Sequence, residues 1–459
     1  MEEITLCVGL AAAVLVLLVP PRYGLLVYLI ILLCYPDYLR IIPFGFTISA
    51  GRIAVTALLI RCLLDEQLRR GFQWTKLDTL IIIADAVYML ALSCNHADSF
   101  FAGIKYQSGA MLDTTFAYFS ARLIINNRAV LLHFVKVAAI ILVVMAFLGA
   151  FEAVTTQGPY VGLLKYQFYA NRFLESYGRK FASQEVLVGH GHEPRLGFFR
   201  AQGPHSHPII FGASFALLVP LVWKLFYHTR WKSLRAPICG AIVVGGASSV
   251  SSTPFTGLLA ALAGLAFERF ERWGKQLFVL FILSCFFLEF YTDRPHFYYA
   301  FLSRLSIETS TGYYRGRLID AAIKHLPEYW LAGYGFRDPG WGPEIEDADY
   351  TDVTVHYVAL AVMYGVLGLL AYLAIVFKLL FSLWRKYRRS VETFDRNICW
   401  ALIVSIAVTL VLDLGVTPFG VLPALYSIIF GIGGSVTSPD FNRQYALGDA
   451  NNLLATSAI

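Results

Sequence analysis

The sequence predicts an all-α fold, a polytopic membrane helix bundle carrying two large external loops with short helices in them. Three observations predict it. The first is composition: of 459 residues, 57% are hydrophobic and only 15% charged, and the mean hydropathy is +0.61. Soluble domains carry about a quarter charged residues, so this chain cannot cover an ordinary water-facing surface. The second is run length, since many apolar stretches approach the roughly 20 residues that cross a hydrocarbon core as helix. The third is that basic residues fall between those stretches, in alternate connections. A soluble enzyme, a disordered chain and a disulfide-stapled secreted module are excluded. Near-continuous runs indicate helices rather than the weak alternation of a membrane barrel.

The spans before the first long loop read Ile4–Val19, Gly24–Leu39, Phe46–Leu64, Leu77–Cys94, Gly109–Ile125 and Val130–Val154. Then come Pro208–Tyr227, Pro237–Ser252, Phe255–Phe267 and Leu277–Tyr291, and finally Val353–Phe377, Ile398–Leu412 and Val416–Ile432. The pair meeting around Ser252–Phe255 reads either as two short spans or as one broken helix, so length counts about 12 or 13 membrane helices. The chain divides into N-terminal membrane helices (1–154), a first external loop (155–207), central membrane helices (208–291), a second external loop with an amphipathic helix (292–352), C-terminal membrane helices (353–435) and a cytoplasmic tail (436–459).

Arg69, Arg70 and Lys76 fill one connection, and Arg122 and Arg128 another. Arg230, Lys232 and Arg235 follow, then Arg269, Arg272 and Lys275, then the densest set, Arg385, Lys386, Arg388, Arg389 and Arg396. The positive-inside rule places these connections in the cytoplasm and both long loops on the other face. The Met-Glu-Glu start is not the basic start of a signal peptide, so the first run is expected to be retained. The net charge of +6 is small and is explained by topology, not nucleic acid. Cys7, Cys34, Cys62, Cys94, Cys239, Cys285 and Cys399 all lie in or beside apolar segments, where free cysteine packs as a small hydrophobe. There is no phosphate-binding GxxxxGK[ST] loop, so chemistry on the far face must use a substrate that arrives activated.

Arg200 precedes the helix after the first loop and is held at the outer interface. It reads either as an arginine reaching lipid phosphate or as a fork gripping a phosphate bidentately. In the second loop, Thr311–Glu328 has helical periodicity, with Ile319, Ala322, Ile323, Leu326 and Trp330 as its inward stripe. Arg315, four residues before Ile319, joins that stripe, and a buried arginine must find an anion or carboxylate. Arg317, Asp320, Lys324 and Glu328 form the solvated row, with Arg317 retained as a candidate substrate contact. The helix is expected to end near Trp330, before the Gly333-Tyr-Gly335 turn.

Glu344, Glu346, Asp347, Asp349 and Asp352 then make the loop acidic, without the spacing or glycine of an EF-hand. They read as solvated loop acids, or as groups that accept from a ligand's hydroxyls. Asp352 and His356 are expected to touch as i,i+4 neighbours, a pairing that orients an imidazole as general base. His190-Gly-His192 and His205-Ser-His207 make a zinc site conceivable, though no cysteine is near and no metal is expected. Charges inside spans are Arg52, Asp85, Asp113, Lys136, Glu152 and Asp413, and such groups are functional candidates. Arg52 and Glu152, near the loop side, rank above Asp85.

At these residues the chain resembles the O-antigen ligase and polymerase superfamily of bacterial envelope glycosyltransferases. The resemblance rests on Tyr118-Phe-Ser-Ala-Arg122 with the helix ending at Glu152, on Arg200-Ala-Gln-Gly-Pro-His-Ser-His207, on Tyr314-Arg315 leading to Leu331-Ala-Gly-Tyr-Gly-Phe336, and on His356-Tyr-Val-Ala-Leu with Tyr364-Gly-Val-Leu-Gly-Leu. It covers about Phe46 to Ile432. Two departures stand out: Tyr357 where many members have Asn, and Ser251-Ser-Thr-Pro-Phe-Thr256 where many have Ser-Arg.

The resemblance implies a GT-C-like, metal-independent transferase of the bacterial inner membrane, without cofactor and with a periplasmic active face. Its donor would be an undecaprenyl-pyrophosphate-linked oligosaccharide, and its acceptor a second glycan (polymerase) or the lipid A core (ligase). Polymerase is the favoured reading, with a flippase and a chain-length regulator as partners. Arg200, Arg315 and His356 would be catalytic, and Arg317, Asp352, Arg52, Glu152 and His207 would contact substrate. A secondary transporter is the rival class, opposed by the two polar loops and the lack of an inverted repeat.

Overall fold

The computed structural model describes residues 2–41, 47–95, 99–160, 194–291, 296–346, 348–439 and 441. The described chain is overwhelmingly helical, with one two-stranded ribbon, Arg40–Ile41 paired antiparallel to Ile48–Ser49. The N-terminal helices are α1 (Glu2–Leu18), α2 (Pro21–Cys34), α3 (Ala50–Leu64), α4 (Glu66–Arg70), α5 (Lys76–Asn95), α6 (Phe100–Asp113), α7 (Thr115–Ile124) and α8 (Arg128–Thr155). Local chemistry sets several starts. Pro21 opens α2, where its missing N–H costs nothing, and the side chains of Ser49 and Asn127 accept from the first turns of α3 and α8.

The central and C-terminal helices are α9 (Pro208–Leu225), α10 (Arg235–Ala247), α11 (Ser252–Phe267), α12 (Gly274–Tyr291), α13 (Phe297–Leu305), α14 (Thr309–Lys324), α15 (Leu326–Tyr329), α16 (Gly342–Ile345), α17 (His356–Arg389), α18 (Thr393–Leu412) and α19 (Leu422–Thr437). α9 is buried on nearly every side and packs against α8, α10, α11 and α18. A helix apolar all round belongs at the centre of a bundle.

Among the described residues, five helices are long and apolar enough to cross a membrane: Lys76–Asn95, Arg128–Thr155, Pro208–His228, His356–Arg389 and Thr393–Leu412. Glu3–Leu18, Pro21–Cys34 and Leu422–Thr437 are shorter apolar helices. Fewer helices therefore meet the full length than the apolar runs imply. Turns interrupt some runs without making them less apolar. The run read as Gly109–Ile125 is divided at Thr114 between α6 and α7. The segment around Ser252 resolves into two helices, α10 and α11, joined by residues 248–251 with Val250 at φ +43°.

The largest departure from the expected span 353–377 is inside α17. Gly365 has φ 75° and ψ 177°, outside helical geometry. The rings of His356 and Tyr372 meet with centroids 5.2 Å apart, although a straight helix would separate those residues by about 24 Å. The chain therefore doubles back at Gly365, setting a short leg, 356–364, against the long leg, 366–389. The second loop seals this bend. Tyr334 and Gly335 donate to the carbonyls of Val362 and Met363, and Val366 donates to Trp330.

The second-loop helix also needs correction. α14 itself ends at Lys324, and after a break at His325 one more turn, α15, carries the helical run to Tyr329; the ladder breaks there because Pro327 has no N–H to donate to Ile323. Ile323, Leu326 and Trp330, expected to face inward, are exposed. The buried face keeps Arg315 and Ala322, as expected, and adds Gly312, Gly316, Leu318 and Ala321. Glycine contact causes the rotation: a Cβ at Gly312 would lie 2.5 Å from the Ser303 backbone, and one at Gly316 would lie 2.6 Å from the Tyr299 ring. α13 lies against these glycines.

Candidate functional site

A cavity of about 1770 Å³ opens on the side of the two long loops, well above the roughly 300–1,000 Å³ of a small-molecule pocket. Its wall includes Arg200, His207, Arg315, Asp352 and His356, and also Arg52, Asp85 and Asp113.

Arg200 is positioned by the end of the first loop. Glu152, near the end of α8, accepts from the backbone N–H groups of Gln202 and Gly203, both at 3.0 Å. Phe199 donates to Ala153, and Ala201 to Ser248. The turn is thereby pinned to two helix ends, and the Arg200 Nη2 donates to Ser251 Oγ at 3.0 Å. Only 3% of Arg200 is exposed. Ser251 is itself held close to α9, because Gly212 leaves room for the joint: a Cβ there would sit 2.4 Å from Ser249 Oγ.

Arg315 arrives from the other loop. Its Nη1 donates to Ser306 Oγ at 3.2 Å, and its Nη2 to Thr253 Oγ1 at 3.2 Å and to the Gly415 carbonyl at 2.8 Å. All three acceptors are neutral. Among the described residues no carboxylate pairs with Arg315, and its Nε is buried without a hydrogen-bond partner. Burial lowers the guanidinium to about 10, with Asp352 opposing that shift from a distance. The two arginines thus come from separate loops and are held by hydroxyls two residues apart, Ser251 and Thr253.

His356 begins α17, and its backbone N–H donates to the Asp413 carbonyl at 2.8 Å. Its Nδ1 is buried without a hydrogen-bond partner, and its ring stands edge-on to Tyr372. Tyr372 donates from its hydroxyl to the Asp413 carboxylate. The expected Asp352–His356 pair is absent in i,i+4 form, since the helix begins only at His356 and Asp352 precedes it in non-helical chain. Asp352 instead exchanges backbone hydrogen bonds with the Tyr314 hydroxyl, at 2.8 and 3.0 Å. Its carboxyl opens to the cavity but has protein around it. That desolvation, with Glu346 beside it, raises its pKa, and Arg315 pulls the other way.

The remaining predicted residues divide. His207 caps α9 by accepting from Ile209 N–H through Nδ1 at 3.1 Å, and its ring meets Phe419 on the cavity wall. Arg52 also lies on the wall and holds Asp113 through Nε at 3.0 Å to both carboxylate oxygens. Glu152 is behind the wall, engaged with backbone, so its position favours support of Arg200 over direct contact with substrate. Arg317 is exposed on the far side of α14 and off the wall. Glu344, one of the loop acids, is taken up by Lys324 and His325. His190, His192 and Asp347 fall outside the described residues, among which no three metal-binding side chains converge.

Sequence reasoning missed the neutral groups that seat the cations: Ser251, Thr253, Ser306 and the Gly415 carbonyl. The stretch 251–256 drew notice only for its lack of arginine, yet it lies between both guanidiniums. Tyr372 carried no signal at all, since its approach to His356 depends on the turn at Gly365. No family model matches the chain, and no curated protein matches it.

Proposed function

We propose that this chain is a membrane glycosyltransferase that moves a glycan from undecaprenyl pyrophosphate to an acceptor glycan on the periplasmic face of a bacterial inner membrane, acting as a polysaccharide repeat-unit polymerase. The observation that carries the reading is the placement of Arg200 and Arg315, two buried guanidiniums from different loops, on one cavity wall with His356. The resemblance of these same segments to O-antigen ligases and polymerases supports it, as does a cavity too large for a small metabolite.

In this reading the acceptor hydroxyl attacks the anomeric carbon of the donor sugar. The bond from that carbon to the phosphate oxygen breaks, and its electron pair leaves with the lipid pyrophosphate. The arginines stabilise the negative charge that builds on the leaving group, which is where preorganised donors lower a barrier most. His356 accepts the proton lost by the acceptor hydroxyl. The cleaved bond supplies the driving force, in keeping with a sequence that carries no nucleotide-binding loop. Glu152 orients Arg200 through the turn at 202–203, and Tyr372 fixes the imidazole plane.

The test is glycan transfer by cells carrying single variants. Arg315→Ala and His356→Ala are each expected to abolish polymer while protein level and membrane insertion hold. Normal polymer in either variant refutes the assigned role. Cells lacking the chain are expected to accumulate single repeat units on lipid, whereas long lipid-linked chains would instead identify a ligase.

A further inference from the structure

The arginine wall accounts for only part of the cavity. A second wall is built by α3, α5, α6 and α7, with Tyr364 from the end of the short leg of α17, and its chemistry differs. Asp85 on α5 is 7% exposed and lines the cavity. Its carboxylate accepts from the Thr115 hydroxyl and, at 3.5 Å, from the Gln107 amide. No cation among the described residues forms an ion pair with it within 4.0 Å. Gln107 is 2% exposed, also lines the cavity, and its Oε1 is buried without a hydrogen-bond partner. Beside them, Arg52 and Asp113 largely neutralise one another. Tyr88 and Tyr364 pack with centroids 4.4 Å apart on the same wall, and Tyr106 lies nearby against Phe336 at 4.0 Å.

This arrangement is built into the helix pairing. α5 and α6 cross at Gly103, where a Cβ would lie 2.5 Å from the Ser93 backbone N. One helical turn further along α6, Gln107 lies over Asp85. Thr115 begins the next helix, because the chain breaks at Thr114. Three elements therefore deliver polar groups to one patch of a wall that also carries Lys105, the Arg52–Asp113 pair and the tyrosine rings.

A diphosphate is ill suited to this wall. Asp85 repels it, and of the basic residues on this wall, Arg52 and Lys105, the Arg52 charge is already answered by Asp113. A sugar fits both features. Its hydroxyls donate to a carboxylate and to an amide oxygen with spare acceptor capacity, and its C–H faces pack on tyrosine rings. We propose that Asp85, Gln107 and Thr115, with Tyr88 and Tyr364, form a subsite for the uncharged hydroxyls of the acceptor saccharide, separate from the arginine wall. The inference rests on the transferase reading above and names where its second substrate lies. Asp85 acts here as an acceptor of sugar hydroxyl protons in hydrogen bonds and takes no part in bond cleavage.

The test uses the purified full-length chain in lipid nanodiscs and two probes. One is inorganic pyrophosphate. The other is the free oligosaccharide released by mild acid from lipid-linked material of cells lacking the chain. Wild type is expected to bind both. Asp85→Asn and Gln107→Ala are each expected to weaken oligosaccharide binding about tenfold and leave pyrophosphate binding unchanged, which also shows that both variants fold. Arg315→Ala is expected to do the reverse. No oligosaccharide binding by wild type, unchanged oligosaccharide affinity in both wall variants, or parallel loss of both probes overturns the subsite. Unchanged pyrophosphate affinity in Arg315→Ala, or the absence of lipid-linked glycan in deleted cells, overturns the transferase reading instead.

Discussion

Arg315 and Asp352 show how single side chains here are held in costly states. Arg315 is buried against two hydroxyls and a carbonyl, none of which offsets its charge. Asp352 is exposed to the cavity, yet its pKa is raised because neighbouring protein removes part of its solvation and Glu346 adds like charge. Its folded state therefore holds a proton more tightly than the unfolded chain does. Stability from that proton is complete below the ordinary carboxylate range and is lost as pH rises through the raised value. Asp352→Asn is thus expected to raise the melting temperature in detergent at pH 7. The gain should shrink as pH falls and vanish below about pH 4. A gain that grows towards acid would show that the carboxylate is stabilising. Much at this scale was legible. Arg315 lies four residues before Ile319, and that spacing places it on a buried face and Arg317 on the exposed one. The exposure of Ile323 was not legible, because glycine contacts with α13, not hydrophobicity, orient the helix. Nor was the separation of Asp352 from His356, since i,i+4 geometry needs both residues inside the helix.

At the scale of elements, apolar runs locate helices but do not show where they bend. Gly365 sits within one of the strongest apolar runs, between Tyr364 and Val366, and reads in sequence as part of a helical motif. Its φ of 75° suits glycine, and a Cβ there would meet the Leu331 carbonyl oxygen at 2.5 Å. The turn carries His356 to Tyr372 and so to the cavity. Gly365→Ala is expected to cost about 1–3 kcal/mol and to reduce glycan transfer without altering any cavity side chain. Gly240→Ala is the control, since nothing lies within 4 Å of its Cβ position in α10, and alanine suits a helix interior better than glycine. Thermal melts and transfer assays of both variants check this. Equal behaviour of the two would remove the turn from the account. The break at Thr114 was equally invisible in composition, yet it starts α7 and sets Thr115 beside Asp85.

Across the whole molecule, the alternation of basic connections was the most legible feature, because charge placement is a property of the sequence and not of packing. The structure carries it in three dimensions. Arg128, at the start of α8, is bonded to Glu392 and Asp395 at the start of α18. The far ends of these two helices carry Glu152 and lead into Asp413, which support Arg200 and His356. The ends of α8 and α18 joined by Arg128 therefore lie opposite the ends that support the cavity. In a background with the seven native cysteines replaced, Val391→Cys and Arg337→Cys are expected to react with a membrane-impermeant maleimide from opposite sides. Both positions are exposed, and labelling from one side would contradict the topology. What no sequence pattern conveyed was the convergence itself, because the partners of the cations are small neutral groups scattered over three segments.

The central claim is that Arg200 and Arg315 grip one diphosphate together. Its most direct test is a double-mutant cycle on the purified chain, measuring farnesyl pyrophosphate affinity in wild type, Arg200→Ala, Arg315→Ala and the double variant. A shared ligand predicts a coupling energy of about 1 kcal/mol or more, with the second substitution costing much less once the first is made. Strictly additive losses, or affinity untouched by either substitution, would contradict it.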